Sequence, residues 1–369
     1  MQKNPATNFF FAPSGTFCYF SKGDSNLDAS GFASSDHNSG MTLISPPLNF
    51  SPSGTLLPDQ MAILQAEGAD AATFLQGQLT HDVILLPVGQ ARLAGYCSAK
   101  GRLLASFLVL KLSPDKFILI CHQDLIQAMQ KRLSMFVMRA KVVLSDATSQ
   151  CGIRGYLGEA AEAVFPDIKL LPSWSVLSSA DQHLIALPPA ISGSHPSSRA
   201  LCIGPANSNT SLSSLPDSMP TVTQEDWLMA EVLAGVPQVQ AVTSDAFVPQ
   251  MLNYESVNGV SFKKGCYPGQ EVVARSQFRG TLKRRTFLVS GAERMTVGQE
   301  IFTPDDAEQA CGTVVSAAYQ HPSNAQEVSP AWALVSMQIA ALAHSLHVDS
   351  SQGSSLKVWA LPYPLLEDI

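Results

Sequence analysis

Apolar positions in the first half of the chain mostly follow the period of strands; few stretches carry the period of a helix. Residues 61–64, Met-Ala-Ile-Leu, read as a strand closed by Gly68, and residues 70–76 as a short helix. Three more strands are expected at 92–98, 102–111 and 117–122, with Lys100-Gly101 and Ser113-Pro114-Asp115 as turns. Leu125, Ala128, Met129, Leu133 and Phe136 recur at helical spacing, so 124–138 is expected to be a helix with one mostly apolar face. Strands return near 142–144 and 153–157. Residues 158–222 lose the pattern, and Ser, Pro and Asn accumulate between Ser192 and Pro220. Helical period resumes at 224–234 and stops at Gly235, with Pro237 beyond. From Lys283 only short strands recur, at 286–290, 312–318, 331–337 and 356–361, as in a small barrel. The order predicts an α+β fold with helices on one side of its sheets.

Residues 1–52 fit none of this. They are rich in Ser, Gly, Asn and Phe without period, and so are expected to be a disordered or non-native extension. Met41, just ahead of Ser45-Pro46-Pro47, reads as the translation start. The expected organisation is then α+β lobes at 53–157 and 223–282, an irregular inter-lobe segment at 158–222, and a β-barrel at 283–369. A chain of 369 residues is long enough for two or three domains.

Composition narrows the class. The net charge is −7, against a general nucleic-acid binder, and direct nucleic-acid binding is not expected. Seven cysteines form no CxxC, so neither a disulfide framework nor a paired-cysteine metal site is indicated. No apolar run reaches a membrane span, and no apolar stretch follows a basic start. The expectation is a cytoplasmic protein with no membrane partner and no metal site of its own.

The chemistry concentrates at 262–285. Pro268 ahead of Gln270 and Glu271 reads as the first turn of a helix, which places Cys266 just before a helix N-terminus. The unpaired N–H groups there, with Lys263 and Lys264 beside them, favour thiolate over thiol. A nucleophile, a redox sensor and a metal ligand all need such a thiol; a cysteine packed inertly beneath the helix is the alternative. Residues 263–285 hold seven basic side chains (Lys263, Lys264, Arg275, Arg279, Lys283, Arg284, Arg285) and one acid, Glu271. That window carries +6 against −13 for the remainder. Phosphate, carboxylate tails and RNA are all compatible anionic partners. Glu271 and Arg275 are spaced to pair on one helix face.

The run Lys264-Gly265-Cys266-Tyr267-Pro268-Gly269-Gln270-Glu271-Val272-Val273-Ala274-Arg275 resembles the signature of the YgfZ family, K-G-C-[YF]-x-G-Q-E-x-x-[AS]-R. Its lead-in resembles that family too: Ala234-Gly235-Val236-Pro237, Phe247-Val248-Pro249-Gln250, Asn253 and Gly259-Val260-Ser261-Phe262-Lys263. So does Phe74-Leu75-Gln76-Gly77-Gln78-Leu79-Thr80-His81-Asp82-Val83. The family is related to the T-protein of the glycine cleavage system, a tetrahydrofolate-dependent aminomethyltransferase. The resemblance implies a T-protein-like multi-lobe arrangement around a central folate channel. It also implies a role in assembly or repair of iron–sulfur clusters, with cluster enzymes, including tRNA-modifying ones, or assembly proteins as partners. Within it, Cys266 is the reactive thiol, either a transient contact to cluster iron or sulfur or the acceptor of a transferred group. Lys264, Gly265, Tyr267, Gly269, Gln270, Glu271 and Arg275 shape its loop and helix. Arg275, Arg279 and Lys283 are the candidates for the anionic tail of tetrahydrofolate.

One departure separates this chain from the aminomethyltransferases. They carry a G-G-[IL]-x-D-[DE] element with an essential Asp; the comparable stretch here runs Lys100-Gly101-Arg102-Leu103-Leu104-Ala105-Ser106. No carboxylate stands there, so an accessory factor is expected rather than an aminomethyltransferase. A folate-dependent one-carbon transferase with another acid or base, and an RNA-binding module using 263–285, are the alternatives. His81-Asp82 is expected to be structural, and Trp227 and Met229 to be core.

Overall fold

The alternating segments of the first half build two five-stranded antiparallel sheets, and those of the last part close into a barrel. The structure is a computed structural model and describes residues 43–179, 181–193, 195–206, 219–319 and 330–366. The reading of 1–42 as an extension, with Met41 as its start, lies outside these residues. Residues 43–52 were expected to belong to that extension, yet they pack on the body. Phe50 is buried, its N–H donates to Ser192 Oγ at 2.8 Å, and Ala360 N–H donates to Ile44 O at 3.0 Å.

The first sheet holds β2 (Met61–Glu67), β3 (Ala91–Cys97), β4 (Leu103–Ser113), β5 (Lys116–His122) and β6 (Val143–Asp146), in the order β3-β4-β5-β2-β6. The second holds β1 (Gly54–Leu56), β7 (Cys151–Leu157), β8 (Val176–Ser179), β9 (Gln182–Ser192) and β10 (His195–Pro205), in the order β1-β7-β10-β9-β8. Ala62, Ile63 and Leu64 are buried on both faces of β2, which is why the sequence shows an apolar run there rather than an alternation. The barrel runs β11 (Arg284–Gly291), β14 (Ala331–Gln338), β13 (Gly312–Tyr319), β12 (Glu300–Phe302), β15 (Leu346–Val348) and β16 (Ser355–Trp359), with β16 pairing back to β11. The expected α+β class with a terminal barrel is therefore what the chain forms. One apolar core spans both sheets, and a second fills the barrel.

Five α-helices connect these strands among the described residues: α1 (Ala71–Gln76), α2 (Ile126–Ser134), α3 (Glu159–Val164), α4 (Gln224–Leu233) and α5 (Gln270–Phe278). Helix α4 begins at a capping box in which Thr223 Oγ1 accepts from Asp226 N–H and Asp226 Oδ2 accepts from Thr223 N–H. It gives way at Gly235, where φ is +71° and a Cβ would meet Tyr363 at 2.9 Å. Helix α2 is shorter than the expected 124–138. After Ser134 the chain tightens into turns, Phe136 N–H donating to Leu133 O at 3.0 Å, and Phe136 faces solvent.

The expected irregular segment at 158–222 instead contains α3, β8, β9 and β10. Its prolines misled the pattern. Pro188 and Pro189 fall opposite the bulge between Ser197 and Arg199, and beyond the reach of β8, which pairs only with 182–185. Neither missing N–H breaks a ladder there. The lobe boundary also differs from that expected: 151–157 pairs with β10, so the two sheets separate between Asp146 and Cys151.

Candidate functional site

The two motif segments, far apart in sequence, are stitched together at one place. Lys264 reaches under α1, and its ammonium donates to Gln76 O and, at 2.6 Å, to Leu79 O. The first is a carbonyl that the end of α1 leaves without an intrahelical partner, and the second belongs to the turn that follows. The Thr80 hydroxyl donates to Gly259 O and accepts from Gly95 N–H, both at 2.7 Å. Gln76 Oε1 in turn accepts Val83 N–H at 2.7 Å and fixes the following loop. Lys264 is buried, with Tyr267 packed 4.9 Å from its Nζ, and burial draws its pKa down to about 8. Lys264 and Tyr267 thus hold the loop from within.

Gly269 is the N-cap of α5, with φ +75°. Pro268 therefore precedes the cap rather than occupying the first helical position expected of it. A Cβ on Gly269 would overlap Gly101 and Ser98 O, and one on Gly101 (φ +72°) would meet Val272 at 2.8 Å. The turn at Lys100-Gly101 and the start of α5 thus interlock through two glycines. Gly265 is different: nothing lies within 4 Å of its Cβ position.

Cys266 projects from this clamped loop and is exposed. The other cysteines of the described residues are buried or partly buried, and burial pushes the Cys97 and Cys121 thiols up to about 12 and Cys202 to about 11. Among the described residues no group of three His, Cys, Asp or Glu side chains is placed to hold a metal ion. Phe262 and Phe278 meet edge to face at 5.3 Å nearby in sequence, and Phe278 is half exposed.

The seven cations do not form one patch. Lys263, Arg275, Arg279 and Lys283 are exposed and Arg284 is partly exposed, whereas Lys264 and Arg285 are buried. Arg285 is neutralised by Glu255, and its Nη2 donates to Leu366 O at 2.5 Å. Gln270 and Glu271 lie in the first turn of α5; Glu271 is exposed and forms no ion pair with Arg275 among the described residues.

A cleft lies between the two sheets and beneath α4. Its inner part, about 50 Å³, is lined by Leu93 and Ser106 of one sheet, Arg199 of the other, and Trp174 and Glu231. It shares Trp174, Pro188 and Val236 with a larger cavity of about 300 Å³, walled by Val257 and Tyr363. One inner polar group, Arg199, is under-satisfied, although its Nη1 donates to Pro188 O at 3.3 Å. Arg199 is buried and its Nε lacks a partner; its Nη2 stands 3.7 Å from Glu231 Oε1, too far for a hydrogen bond. Its guanidinium packs 5.0 Å from the Trp227 ring. Trp227 Nε1 donates to Glu231 Oε1 at 3.0 Å. Burial raises the Glu231 pKa, with Arg199 opposing, and lowers that of Arg199 to about 10. Trp174 sits at φ +74°, a backbone conformation that a bulky side chain rarely takes and that is found at ligand clamps.

Ser106 ends the stretch Lys100-Gly101-Arg102-Leu103-Leu104-Ala105-Ser106, which holds no carboxylate. It lines this cleft, but its hydroxyl is engaged with the Tyr254 hydroxyl and accepts Val239 N–H at 2.9 Å. Arg275, Arg279 and Lys283 line none of the described cavities. The sequence reading missed Arg199, Glu231 and Trp174. One signal was available: Glu231 is an acid inside the apolar run Met229-Ala230-Glu231-Val232-Leu233. His81 is buried; Nδ1 accepts Asp82 N–H at 2.7 Å, and burial takes its pKa down to about 4. It is a neutral structural side chain. Trp227 and Met229 are core.

Similarity to solved structures agrees with this architecture. The glycine cleavage system aminomethyltransferase T from Bartonella henselae superposes with a TM-score of 0.59, over 86% of this chain and 88% of that one, at 16% identity. The chain has the aminomethyltransferase T-protein fold. Heterotetrameric sarcosine oxidase from Corynebacterium sp. U-96, in complex with pyrrole 2-carboxylate, matches 43% of this chain and 78% of that one at 16% identity, with a TM-score of 0.24, too low to carry an argument. No family model matches the chain. Among the described residues no helix is long and apolar enough to cross a membrane.

Proposed function

We propose that this protein is a tetrahydrofolate-binding accessory factor in the assembly or repair of iron–sulfur clusters, serving cluster enzymes that include tRNA-modifying ones. The YgfZ-like motif and the T-protein fold support this reading. The residues of the cleft fit a pterin: a flat polar ring wants an apolar slot with a few donors and acceptors. Trp174, Pro188 and Val236 offer the slot; Glu231 offers an acceptor for ring N–H groups, and the unpartnered Arg199 Nε–H a donor for a ring carbonyl. Bound tetrahydrofolate would supply a carrier of one-carbon units. Arg275, Arg279 and Lys283 are proposed for its anionic tail on charge alone.

The absence of a carboxylate from the stretch Lys100 to Ser106 favours an accessory role over aminomethyl transfer, and Ser106, which does line the cleft, has its hydroxyl committed to Tyr254 and Val239. Cys266, exposed on a loop fixed by Lys264 and Gly269, is a soft ligand that a partner's cluster could reach. In cells lacking the protein, the Cys266→Ala variant should fold and leave dependent cluster enzymes deficient. Full rescue by that variant would remove Cys266 from the mechanism. Glu231 favours a second reading, a one-carbon transferase that uses it as acid or base. Turnover of an aminomethyl donor with tetrahydrofolate, abolished in Glu231→Gln, would establish that reading.

A further inference from the structure

Residues 125–145 hold four basic side chains and no acid, in a chain of net charge −7. They span α2, the turns after it and the start of β6. Inward positions are filled: Met129 and Leu133 are buried, and Val137 and Ala140 pack against the main core. Outward, three large apolar side chains meet solvent: Met135 at 62% exposure, Phe136 at 46% and Met138 at 89%. Met138 has φ +41°, so the turn that presents it is held against a backbone preference. It is held by local bonds, Val137 N–H to Ser134 O at 3.2 Å and Ala140 N–H to Val137 O at 2.7 Å.

Lys131, Arg139 and Lys141 are exposed around these apolar tips, and none is in an ion pair among the described residues. Asp70, the acid hydrogen-bonded to this stretch, accepts Lys141 N–H at 2.7 Å. Arg132 turns instead toward the Tyr96 hydroxyl. Met135, Phe136 and Met138 line none of the described cavities; the open groove beside them on α2 is lined by Gln127, Ala128, Gln130, Lys131 and Ser134 and holds no large apolar side chain. Protein docking sites draw their energy from enclosed, water-excluding pockets. Protruding apolar side chains ringed by unpaired cations match the interface of an anionic bilayer, where the tips enter the headgroup boundary and the cations stay at its surface.

We propose that the end of α2 and the turns that follow, with Met135, Phe136 and Met138 at the tip and Lys131, Arg139 and Lys141 around it, form a docking surface for an anionic lipid membrane. The sequence reading expected no membrane partner because it tested only for spans, and a surface contact needs none. The contact is peripheral and reversible.

The test is co-sedimentation of the full chain with vesicles of phosphatidylcholine alone and of phosphatidylcholine with one-third phosphatidylserine. Each basic side chain at an anionic surface is worth about fivefold in partitioning. Three give a preference of about a hundredfold for the anionic vesicles at low salt, falling as salt rises. Replacing Lys131, Arg139 and Lys141 by Glu should abolish the preference. Replacing Met135, Phe136 and Met138 by Ser should weaken binding to anionic vesicles at least about tenfold. All six side chains are exposed, so circular dichroism should show both variants folded. Equal partitioning of wild type into both vesicles, or variants that bind like wild type, would overturn the proposal. So would two other results: binding of an acidic Leu–Glu peptide at this face without vesicle binding, which points to a protein partner, or a dimer split by the Ser variant without vesicle binding, which points to a second copy.

Discussion

Gly265 and Gly269 stand four residues apart in one motif, and the structure gives them opposite tolerances. Gly269 has φ +75°, and a Cβ there would come closer than 3.0 Å to Gly101 Cα, Gly101 N and Ser98 O, all backbone atoms. Backbone cannot swing aside as a side-chain end can. Gly269→Ala should cost about 1–2 kcal/mol for the left-handed conformation. A further ~1–3 kcal/mol should follow from forcing α5 off the Ser98–Gly101 turn. The total is about 2–5 kcal/mol. Gly265→Ala meets nothing within 4 Å and has no positive φ to strain, so it should stay within about 0.5 kcal/mol of wild type. Urea unfolding of both variants, with the slope checked for constancy, reads the difference. If Gly269→Ala fails to express, Gly101→Ala reports on the same contact from the other side, its Cβ meeting Val272 at 2.8 Å. Gly269→Ala within 1 kcal/mol of wild type, or Gly265→Ala equally damaging, would refute the interlocked turn as the basis of the motif's second glycine.

Three other outcomes follow from buried groups. Arg285→Met strands the fully buried Glu255 carboxylate and should cost about 3–5 kcal/mol in urea unfolding, whereas adding Glu255→Leu should recover most of it. His81 is held neutral in the folded chain, its pKa lowered by burial from 6.5 to about 4. Below pH 6.5 the unfolded chain takes up a proton that the folded chain refuses. Stability is therefore full above 6.5 and is lost as pH falls toward 4, by at most about 3 kcal/mol. His81→Gln should flatten the urea-midpoint profile across that window. Glu231→Gln should weaken tetrahydrofolate at least tenfold by calorimetry; the amide keeps an oxygen for Trp227 Nε1 but leaves the buried Arg199 without its countercharge, so the variant should also lose stability in urea unfolding while remaining folded without urea.

Periodicity located most of the strands because their buried faces are continuous: β4, β5, β11 and β14 stand within two residues of their expected bounds. It failed where polar backbone chemistry is satisfied by irregular means. The Ser and Pro of β9 and β10 concealed two eleven-residue strands, since an open edge and a bulge absorb the prolines. Strands β12 and β15, three residues each, are too short to show a period. The site was legible as a motif but not as geometry. Lys264 and Arg285 sat among charges expected to be at the surface, yet each is buried by partners contributed from distant segments, Gln76 and Leu79 for one and Glu255 for the other. Arg199 and Glu231 become a pair only when the second sheet meets α4, and no local pattern marks that encounter.

Anaerobic calorimetry of the full chain with tetrahydrofolate, at low and high salt, tests the account most directly. The account predicts saturable binding of one ligand per chain, weakened by salt and weakened at least tenfold in Glu231→Gln. Absence of binding by the folded protein at millimolar ligand, or binding indifferent to Glu231, would contradict a folate site in the cleft between the sheets.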